Sequence, residues 1–341
     1  MHALFDPSRS SDVAATLLEA LNDGRSHHAA LLTGVPERVS AATSAWVWFV
    51  ALAGADIPAE WRGQQVLRIH DRGESELLAR QVRLSEQLIG DAFPIAPTSW
   101  YGELGGHPAH LQQRLPGRPA AELLGSTKLK QTVQSLARLQ AQLHAINPEH
   151  YEVPRVDATA YLKGDLGRRR SSITAEDSTG TWEWLHESLK NAAQPSNEKS
   201  VLCHGDFHPL NALVDDFGRI SVVDWTDACI GDRHHDVART IAIYWLASLI
   251  ADTRVERAGL RLVRNWLGSA HRSAYESASG VRLDDRRLAW WQIVHLYRGW
   301  LQLCELAEGS VPDRQSSTTS SFPRDLNDHL LRRCVALRSR V

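Results

Sequence analysis

The segment from residue 201 to residue 236 constrains the fold of this chain more than any other stretch. Two short apolar runs, Val201–Cys203 and Ile220–Val223, flank a polar loop and a short strand-like stretch. Between that stretch and the second run, Asp215–Gly218 predicts a tight turn, because Asp and Gly tolerate the backbone dihedrals that a hairpin requires. We therefore predict the local order strand, loop, strand, turn, strand.

Three polar residues lie in the loop and at the end of the second run. Asp206 and Asn211 are five residues apart, and the hairpin would return Asp224 to their side. Phosphoryl transfer from a nucleotide needs a carboxylate to accept the proton of the attacking hydroxyl, and it needs oxygen ligands that hold Mg²⁺ against the phosphates. Mg²⁺ keeps several of its waters, so one Asn and one Asp can suffice. The pattern predicts Asp206 as the catalytic residue and Asn211 and Asp224 as metal ligands.

The same segment resembles the aminoglycoside phosphotransferase family of small-molecule kinases. His204-Gly205-Asp206, followed by four residues and Asn211, is similar to the catalytic loop of that family. Val222-Val223-Asp224-Trp225 is similar to the strand end that carries the family's metal-binding Asp. Asp236-Val237-Ala238-Arg239 matches a segment whose Asp, in the family, steadies the catalytic loop. The resemblance extends from Ala29 to Trp245.

This resemblance implies the fold and the reaction. We expect an α+β, bilobal protein-kinase-like fold with a small antiparallel-sheet N-terminal lobe and a larger helical C-terminal lobe. Residues 1–111 would form the nucleotide-binding lobe, and residues 112–341 the catalytic and substrate-binding lobe. The protein would transfer the γ-phosphate of ATP or GTP, with Mg²⁺, to a hydroxyl of a small molecule.

The nucleotide-binding residues are also implied by the resemblance. Arg68, in Val66-Leu67-Arg68-Ile69, stands where the phosphate-contacting lysine of the family often lies, and a guanidinium suits phosphate oxygens. Gln112 and Gln113 belong to a segment that resembles the strand and hinge beside the nucleotide base. The Glu expected to pair with the cation is replaced by Gln81, which leaves Glu76 or Glu86 as alternatives.

The phosphate-covering loop is the second departure from the kinase pattern. The chain has no Gly-x-Gly-x-x-Gly sequence, and Ser40–Ser44 is the small-residue loop that could cover the phosphates.

Candidate substrate residues lie after the hairpin and in the C-terminal helices that periodicity predicts. They are Asp227, Asp232, Trp290, Trp291, Tyr297, Trp300 and Glu305. Acidic residues would suit a cationic substrate, and aromatic residues a bulky or cationic one. The Trp290-Trp291 pair favours a bulky acceptor such as an antibiotic (an aminoglycoside or a macrolide), with an amino sugar as a further possibility.

Apolar periodicity predicts the helices of the chain. They cover residues 11–21, 74–88, 129–146, 181–192, 232–251, 255–270, 288–307 and 325–338, with a flexible loop over 309–321.

Composition excludes several other classes of protein. The chain is 43% hydrophobic and 23% charged, and its formal net charge of -2 gives no reason to expect nucleic acid or an anionic membrane as a partner. No signal-peptide pattern appears at the N-terminus, and the longest apolar run, Ile241–Ala251, is too short to span a membrane. Four scattered cysteines indicate reduced thiols. We expect a cytoplasmic monomer or homodimer.

Two hypotheses from other classes stay open. The Asp-x-His pair in Gly205–His208 is also found at the start of metal-dependent phosphoesterase sites, which need further His and Asn ligands downstream. A non-catalytic binder with a kinase fold would explain Gln81 and the missing glycine-rich loop.

Overall fold

The computed structural model describes residues 5–23, 29–39, 45–192, 199–250, 253–309 and 326–341. The contacts between residues divide the chain into two units, the first reaching Pro116 and the second beginning at Gly117. The sequence placed the boundary shortly before this point, after residue 111. The predicted phosphate-covering loop, residues 40–44, and most of the predicted loop at 309–321 lie outside the described residues.

The first unit contains a six-stranded antiparallel sheet. Its strands are β1 (Leu31–Leu32), β2 (Glu37–Arg38), β3 (Trp46–Ala53), β4 (Gly63–Ile69), β5 (Thr98–Leu104) and β6 (His107–Gln113). The sheet order is β1-β3-β4-β6-β5, and β2 also pairs with β3. Side chains alternate between the two faces of a strand. Trp48, Val50 and Leu52 of β3 therefore enter one core, together with Leu67 and Ile69 of β4.

Two helices belong to the first unit, as the periodicity predicted. They are α1 (Ser10–Asn22) and α2 (Ser75–Gly90). Val13, Leu17 and Leu21 recur every four residues, which places them on one helical face, and all three are buried in the core of the sheet.

The second unit is mainly helical. Its helices are α3 (Leu129–Ala145), α4 (Ala158–Tyr161), α5 (Gly167–Ser171), α6 (Thr181–Ala192), α7 (Arg233–Ile250), α8 (Arg254–Ser279), α9 (Asp285–Ala307) and α10 (Leu326–Arg338). Six of these eight were predicted within a few residues, apart from the C-terminal part of α8. None of the helices in the described ranges is both long enough and apolar enough to cross a membrane.

The segment Ala158–Ser171 is a helix that the sequence did not predict. Its middle turn, Leu162–Leu166, has π-helical hydrogen bonding between α4 and α5. Only Ala158, Leu162 and Leu166 are buried along it, so the segment carries too short an apolar stripe to be recognised from periodicity. Its charged side chains lie in the candidate active site described below.

The described part of the second unit also contains two three-stranded sheets. The strands are β7 (Arg118–Pro119), β8 (Arg155–Val156), β9 (Val201–Cys203), β10 (Ala212–Val214), β11 (Ile220–Val222) and β12 (Cys229–Gly231). One sheet has the order β11-β10-β7 and the other the order β8-β12-β9. The predicted hairpin is formed by β10 and β11, in which Ala212 is paired with Val222.

Helix α9 lies at the centre of the second unit, where α6, α7 and α10 pack against it. This packing buries Trp290, Trp291, Tyr297 and Trp300, each of which is at most 2% exposed. These four aromatic residues belong to the hydrophobic core, so their burial gives the prediction that they line a substrate site no support. Residues on the apolar face of a core helix and residues of an aromatic pocket have the same spacing, so the sequence did not distinguish them.

We expect Trp290→Ala to destabilise the protein by about 3–5 kcal/mol, because it removes a large buried side chain and leaves a cavity. Trp266→Ala is the matched control, since that indole is 42% exposed. Urea denaturation followed by circular dichroism measures both. Equal losses of unfolding free energy in the two variants would contradict a core role for Trp290.

Candidate active site

The loop after β9 is fixed to the N-terminal turns of α7 by buried hydrogen bonds. The Gly205 amide donates to Oδ1 of Asp236 at 2.7 Å. One turn later, the Thr240 hydroxyl donates to the carbonyl of Phe207, also at 2.7 Å. Residues four apart on a helix share a face. A single face of α7 therefore holds two points of the loop on either side of Asp206.

Asp236 is itself held by α3. Its Oδ2 accepts from Nε2 of Gln140 at 2.9 Å and lies 3.1 Å from Nε2 of His144. The carboxylate is fully buried. Burial opposes its ionisation, but the hydrogen bonds from His144 and Gln140 and the electrostatic attraction of His144 and His204 outweigh that penalty. The pKa of Asp236 is therefore lowered far below its ordinary value, and the anchor stays anionic.

His204 stabilises the loop from inside. Its Nδ1 accepts the Asp206 amide at 3.2 Å, which leaves Nε2 to donate to the carbonyl of Val223 at 3.1 Å. Burial lowers the pKa of His204, so the ring is neutral in this tautomer. Both ring nitrogens thus hydrogen-bond to backbone atoms, which gives His204 a positioning role.

The hairpin brings the third polar residue back to the loop. The Val223 amide donates to the carbonyl of Asn211 at 2.9 Å, directly beyond the last register pair of β10 and β11. Asp224 follows with a φ of +65°, and its Oδ1 accepts from the Thr226 hydroxyl at 2.7 Å. A positive φ is costly for a residue with a Cβ, and such strain is concentrated at functional sites.

Asp206 and Asn211 are in direct contact. Nδ2 of Asn211 donates to the carbonyl of Asp206 at 3.1 Å and lies 3.4 Å from its Oδ2. Because the amide nitrogen is used in this way, the amide oxygen of Asn211 is the atom that remains for a cation. The structure thus brings together the three residues that the sequence singled out: Asp206, Asn211 and, through the Val223 hydrogen bond, Asp224.

Two basic side chains hold the Asp206 carboxylate. Nε of Arg239 donates to Oδ1 at 2.7 Å, and Nε2 of His208 lies 3.3 Å from Oδ2. Burial raises the pKa of Asp206, but the Arg239 guanidinium and His208 outweigh it, and the pKa falls well below the ordinary value. The carboxylate is ionised and is fixed in one orientation.

The oxygen ligands at this position fit Mg²⁺. The amide oxygen of Asn211 and the carboxylate of Asp224 are hard ligands, and a magnesium ion needs only one or two of these from the protein. No cluster of three or more His, Cys, Asp and Glu that could hold a metal occurs among the described residues.

The predicted nucleotide residues lie in the first unit. Arg68 is in the middle of β4, where its register partners are Val47 and His110. Its neighbours Leu67 and Ile69 enter the core, so the half-buried Arg68 side chain faces the other side of the sheet. Gln112 and Gln113 end β6 and are half-buried and exposed, respectively.

Helix α2 contains Glu76 and Glu86, the two alternatives for a partner of Arg68, and Gln81, which replaces the expected glutamate. Glu76 and Glu86 are both exposed, and Gln81 is half-buried. The alternatives for a glutamate partner therefore remain open as predictions.

The three predicted acidic substrate residues all pair with arginines. Asp227 contacts Nη2 of Arg298 at 2.8 Å, and Glu305 contacts Nη1 of Arg169 at 2.6 Å. Asp232 pairs with Arg287, and it also accepts hydrogen bonds from His234 and from the indole Nε1 of Trp291 at 2.8 Å. Burial opposes ionisation of Asp232, but His234 and Arg287 outweigh it and lower its pKa far below the ordinary value.

Sequence analysis missed the residues that orient the acidic groups. Arg239 follows Asp236 by three residues, so the helical period could have placed it on the face that holds the loop. Arg298 and Asp165 carry no such local pattern, because they reach the site from α9 and from the π-helical turn, far away in sequence.

Gly205 has a left-handed backbone with φ +79°, and a Cβ there would lie 2.1 Å from the carbonyl oxygen of Asp227. We expect Gly205→Ala to displace the loop and to cost more stability than Gly218→Ala. Gly218 has the same φ with open space around it, so its substitution carries only the left-handed strain, about 1–2 kcal/mol. Chemical denaturation of both variants measures the difference, and similar losses would contradict the close contact.

Arg239→Met should raise the pKa of Asp206, because burial then acts without its main counter-charge. A lowered folded-state pKa stabilises the protein above the unfolded-state value, about 3.9, and that stability is lost as pH falls through the folded-state pKa. The variant should therefore lose about 1–3 kcal/mol at neutral pH and less in acid.

The control for this substitution is Arg219→Met. Arg219 makes an ion pair of the same length with Asp215, 2.7 Å, but its side chain is 74% exposed. Its removal should cost at most about 1 kcal/mol. Urea titrations between pH 4 and pH 8 compare the two, and a loss in Arg239→Met that does not change with pH would contradict the electrostatic role.

One curated relative shares part of this sequence. The uncharacterized protein YcbJ of Bacillus subtilis (strain 168) is 31% identical over 119 residues, which are 30% of this chain and 35% of YcbJ. The match therefore spans about a third of that protein.

Several solved structures share the fold. A thermostable mutant of the aminoglycoside phosphotransferase APH(4)-Ia superposes with a TM-score of 0.63 and 18% identity over 96% of this chain and 99% of its own. The aminoglycoside phosphotransferase APH(3'')-Id from Streptomyces rimosus, in complex with ADP and streptomycin, gives 0.58 and 18% over 84% and 98%. A choline/ethanolamine kinase family protein from Mesorhizobium loti gives 0.60 and 14% over 96% and 94%.

These similarities confirm the α+β, protein-kinase-like fold expected from the sequence. The model of the phosphotransferase enzyme family matches residues 58–281, which include the catalytic loop, the hairpin and α7. That match covers more than half of the chain. The chain therefore belongs to the phosphotransferase enzyme family.

Proposed function

We propose that this protein transfers the γ-phosphate of ATP to a hydroxyl of a small molecule, with Asp206 as the catalytic residue and Asn211 and Asp224 as the ligands of Mg²⁺. One observation carries the proposal. The Asn211 side chain donates to the backbone carbonyl of Asp206, and the backbone carbonyl of Asn211 accepts the Val223 amide, so hydrogen bonds link the three residues where the loop meets the hairpin.

The residues of the chain act mainly by positioning. Arg239 and His208 fix the Asp206 carboxylate so that it accepts the proton of an acceptor hydroxyl and aligns its oxygen for in-line attack. Because the pKa of Asp206 is low, it is a weak base in the resting protein. Proton transfer is therefore expected late, when the hydroxyl has begun to lose charge to phosphorus.

Mg²⁺ held by Asn211 and Asp224 would neutralise charge on the phosphate oxygens. Thr226 and the strained backbone of Asp224 hold that carboxylate in place before any ligand binds. Arg68 is proposed to contact phosphate oxygens, and the strand end at Gln112 and Gln113 to contact the base. ADP in complexes of APH(3'')-Id and APH(4)-Ia supports an adenine nucleotide as the donor.

For the acceptor, several classes of compound are proposed. Streptomycin and hygromycin B occur in the solved complexes, which supports an antibiotic hydroxyl as one candidate for this chain. The aromatic argument for a bulky acceptor no longer supports it, because the four aromatic residues are in the core. An aminoglycoside, a macrolide and an amino sugar remain the first compounds to test.

Asp206→Asn should lower turnover by about 10²–10⁴-fold, the usual contribution of a positioned general base, and leave magnesium-dependent ADP binding intact. Asp224→Asn should weaken that binding as well. Asp216→Asn, an exposed carboxylate of the hairpin turn, is the matched control. Nucleotide consumption with the acceptor compounds measures turnover, and calorimetry measures ADP binding with and without Mg²⁺.

Wild-type turnover in Asp206→Asn would exclude this mechanism. Magnesium-dependent nucleotide binding without transfer to any of these compounds, in the wild-type protein, would keep the proposed reaction and place its acceptor outside them. The absence of both binding and transfer would favour the phosphoesterase or the non-catalytic binder.

A further inference from the structure

Arginines neutralise the acidic side chains beside the catalytic loop. Asp227 packs against Gly205, and its carboxylate contacts Nη2 of Arg298 at 2.8 Å. Nε of the same arginine lies 3.1 Å from Oδ2 of Asp165. Asp165 is also 3.3 Å from Nε of Arg169. Asp165 and Asp227 thus share the guanidinium of Arg298, and Asp165 also contacts Arg169.

Further acid–arginine pairs occur in the second unit. Arg169 reaches Glu305, Arg287 reaches Asp232, and Arg239 reaches the catalytic Asp206. We call this set the acid–arginine network. Its members are the carboxylates Asp165, Asp206, Asp227, Asp232 and Glu305 and the guanidiniums Arg168, Arg169, Arg239, Arg287 and Arg298. Five negative groups meet five positive groups, so the network has no net charge.

Arg298 is the central cation. The residue is 6% exposed, and it forms ion pairs with both Asp165 and Asp227, whose side chains are 26% and 39% exposed. Its charge also acts on Asp206. Two partly exposed carboxylates therefore share the charge of one buried guanidinium, and Arg169 supplies a second cation to Asp165.

This arrangement opposes binding of a cation. A ligand amine gains little long-range attraction from groups whose summed charge is zero. To bond Asp227 directly it would have to displace Arg298, which would leave a buried guanidinium with one fewer partner, and an uncompensated buried charge is strongly unfavourable. The acidic residues that the sequence analysis assigned to a cationic substrate already form ion pairs with arginines of the same chain.

We propose that Arg298 determines acceptor specificity and that the acceptor is an alcohol without net positive charge, either a neutral polyhydroxy compound or one that carries an oxyanion. This inference rests on the proposed function, because it names the acceptor class of the same site. Compounds with several ammonium or guanidinium groups, such as streptomycin, fall outside that class.

Streptomycin binding to the full-length protein tests the inference. In calorimetric titrations at low ionic strength, Arg298→Gln should bind streptomycin about tenfold more tightly than the wild type, since two carboxylates are released. The gain should disappear at high salt, because screening weakens such attraction. Arg219→Gln is the control: Arg219 is 74% exposed and pairs with Asp215, outside this network, so its loss should change little.

A second variant keeps the test valid if Arg298→Gln does not fold. Arg169→Gln removes a partner of both Asp165 and Glu305, and its side chain is 26% exposed, so folding should tolerate it. It should also gain affinity for streptomycin.

Equal affinity for streptomycin in the wild type and the folded variants would overturn the inference, as would wild-type phosphorylation of streptomycin. Magnesium-dependent ADP binding is measured on the same samples. Its absence would count against the proposed function, whereas the comparison of streptomycin affinities would still decide the charge argument.

Discussion

The buried carboxylate of Asp236 is the interaction on which the rest of the site depends. It accepts the Gly205 amide with one oxygen, and α3 holds the other through Gln140 and His144. A buried carboxylate is unfavourable unless its hydrogen bonds are made, so this group ties together β9, α3 and α7. The loop can therefore keep a left-handed Gly205 in close contact with Asp227.

The arginines near the loop fix geometry at a chemical cost. Arg239 orients the Asp206 carboxylate but lowers its pKa, so the residue is positioned well and is a weak base. That combination suits a reaction in which charge stabilisation and alignment provide most of the rate, as in phosphoryl transfer. Arg298 contacts the carboxylates of both Asp165 and Asp227, and on the proposed acceptor class it is the residue that opposes a cationic acceptor.

Local patterns in the sequence predicted several parts of the fold correctly. The hairpin at Asp215–Gly218 follows from turn chemistry, and Asp215 indeed accepts the Phe217 and Arg219 amides there. Helices α3 and α9 follow from their apolar periodicity. The segment with the π-helical turn at Leu162–Leu166 was missed because its apolar stripe is short.

The sequence by itself determined the fold class, the polar loop after β9 and the hairpin that returns Asp224, because spacing of a few residues controls turns, caps and strand ends. Only the tertiary structure decided which side chains serve a ligand and which serve the core. Trp290 and Trp291 are enclosed by neighbouring helices, and Asp227 and Glu305 are neutralised by Arg298 and Arg169 from other elements. Burial and charge pairing depend on contacts between residues far apart in the chain, and no local pattern records them.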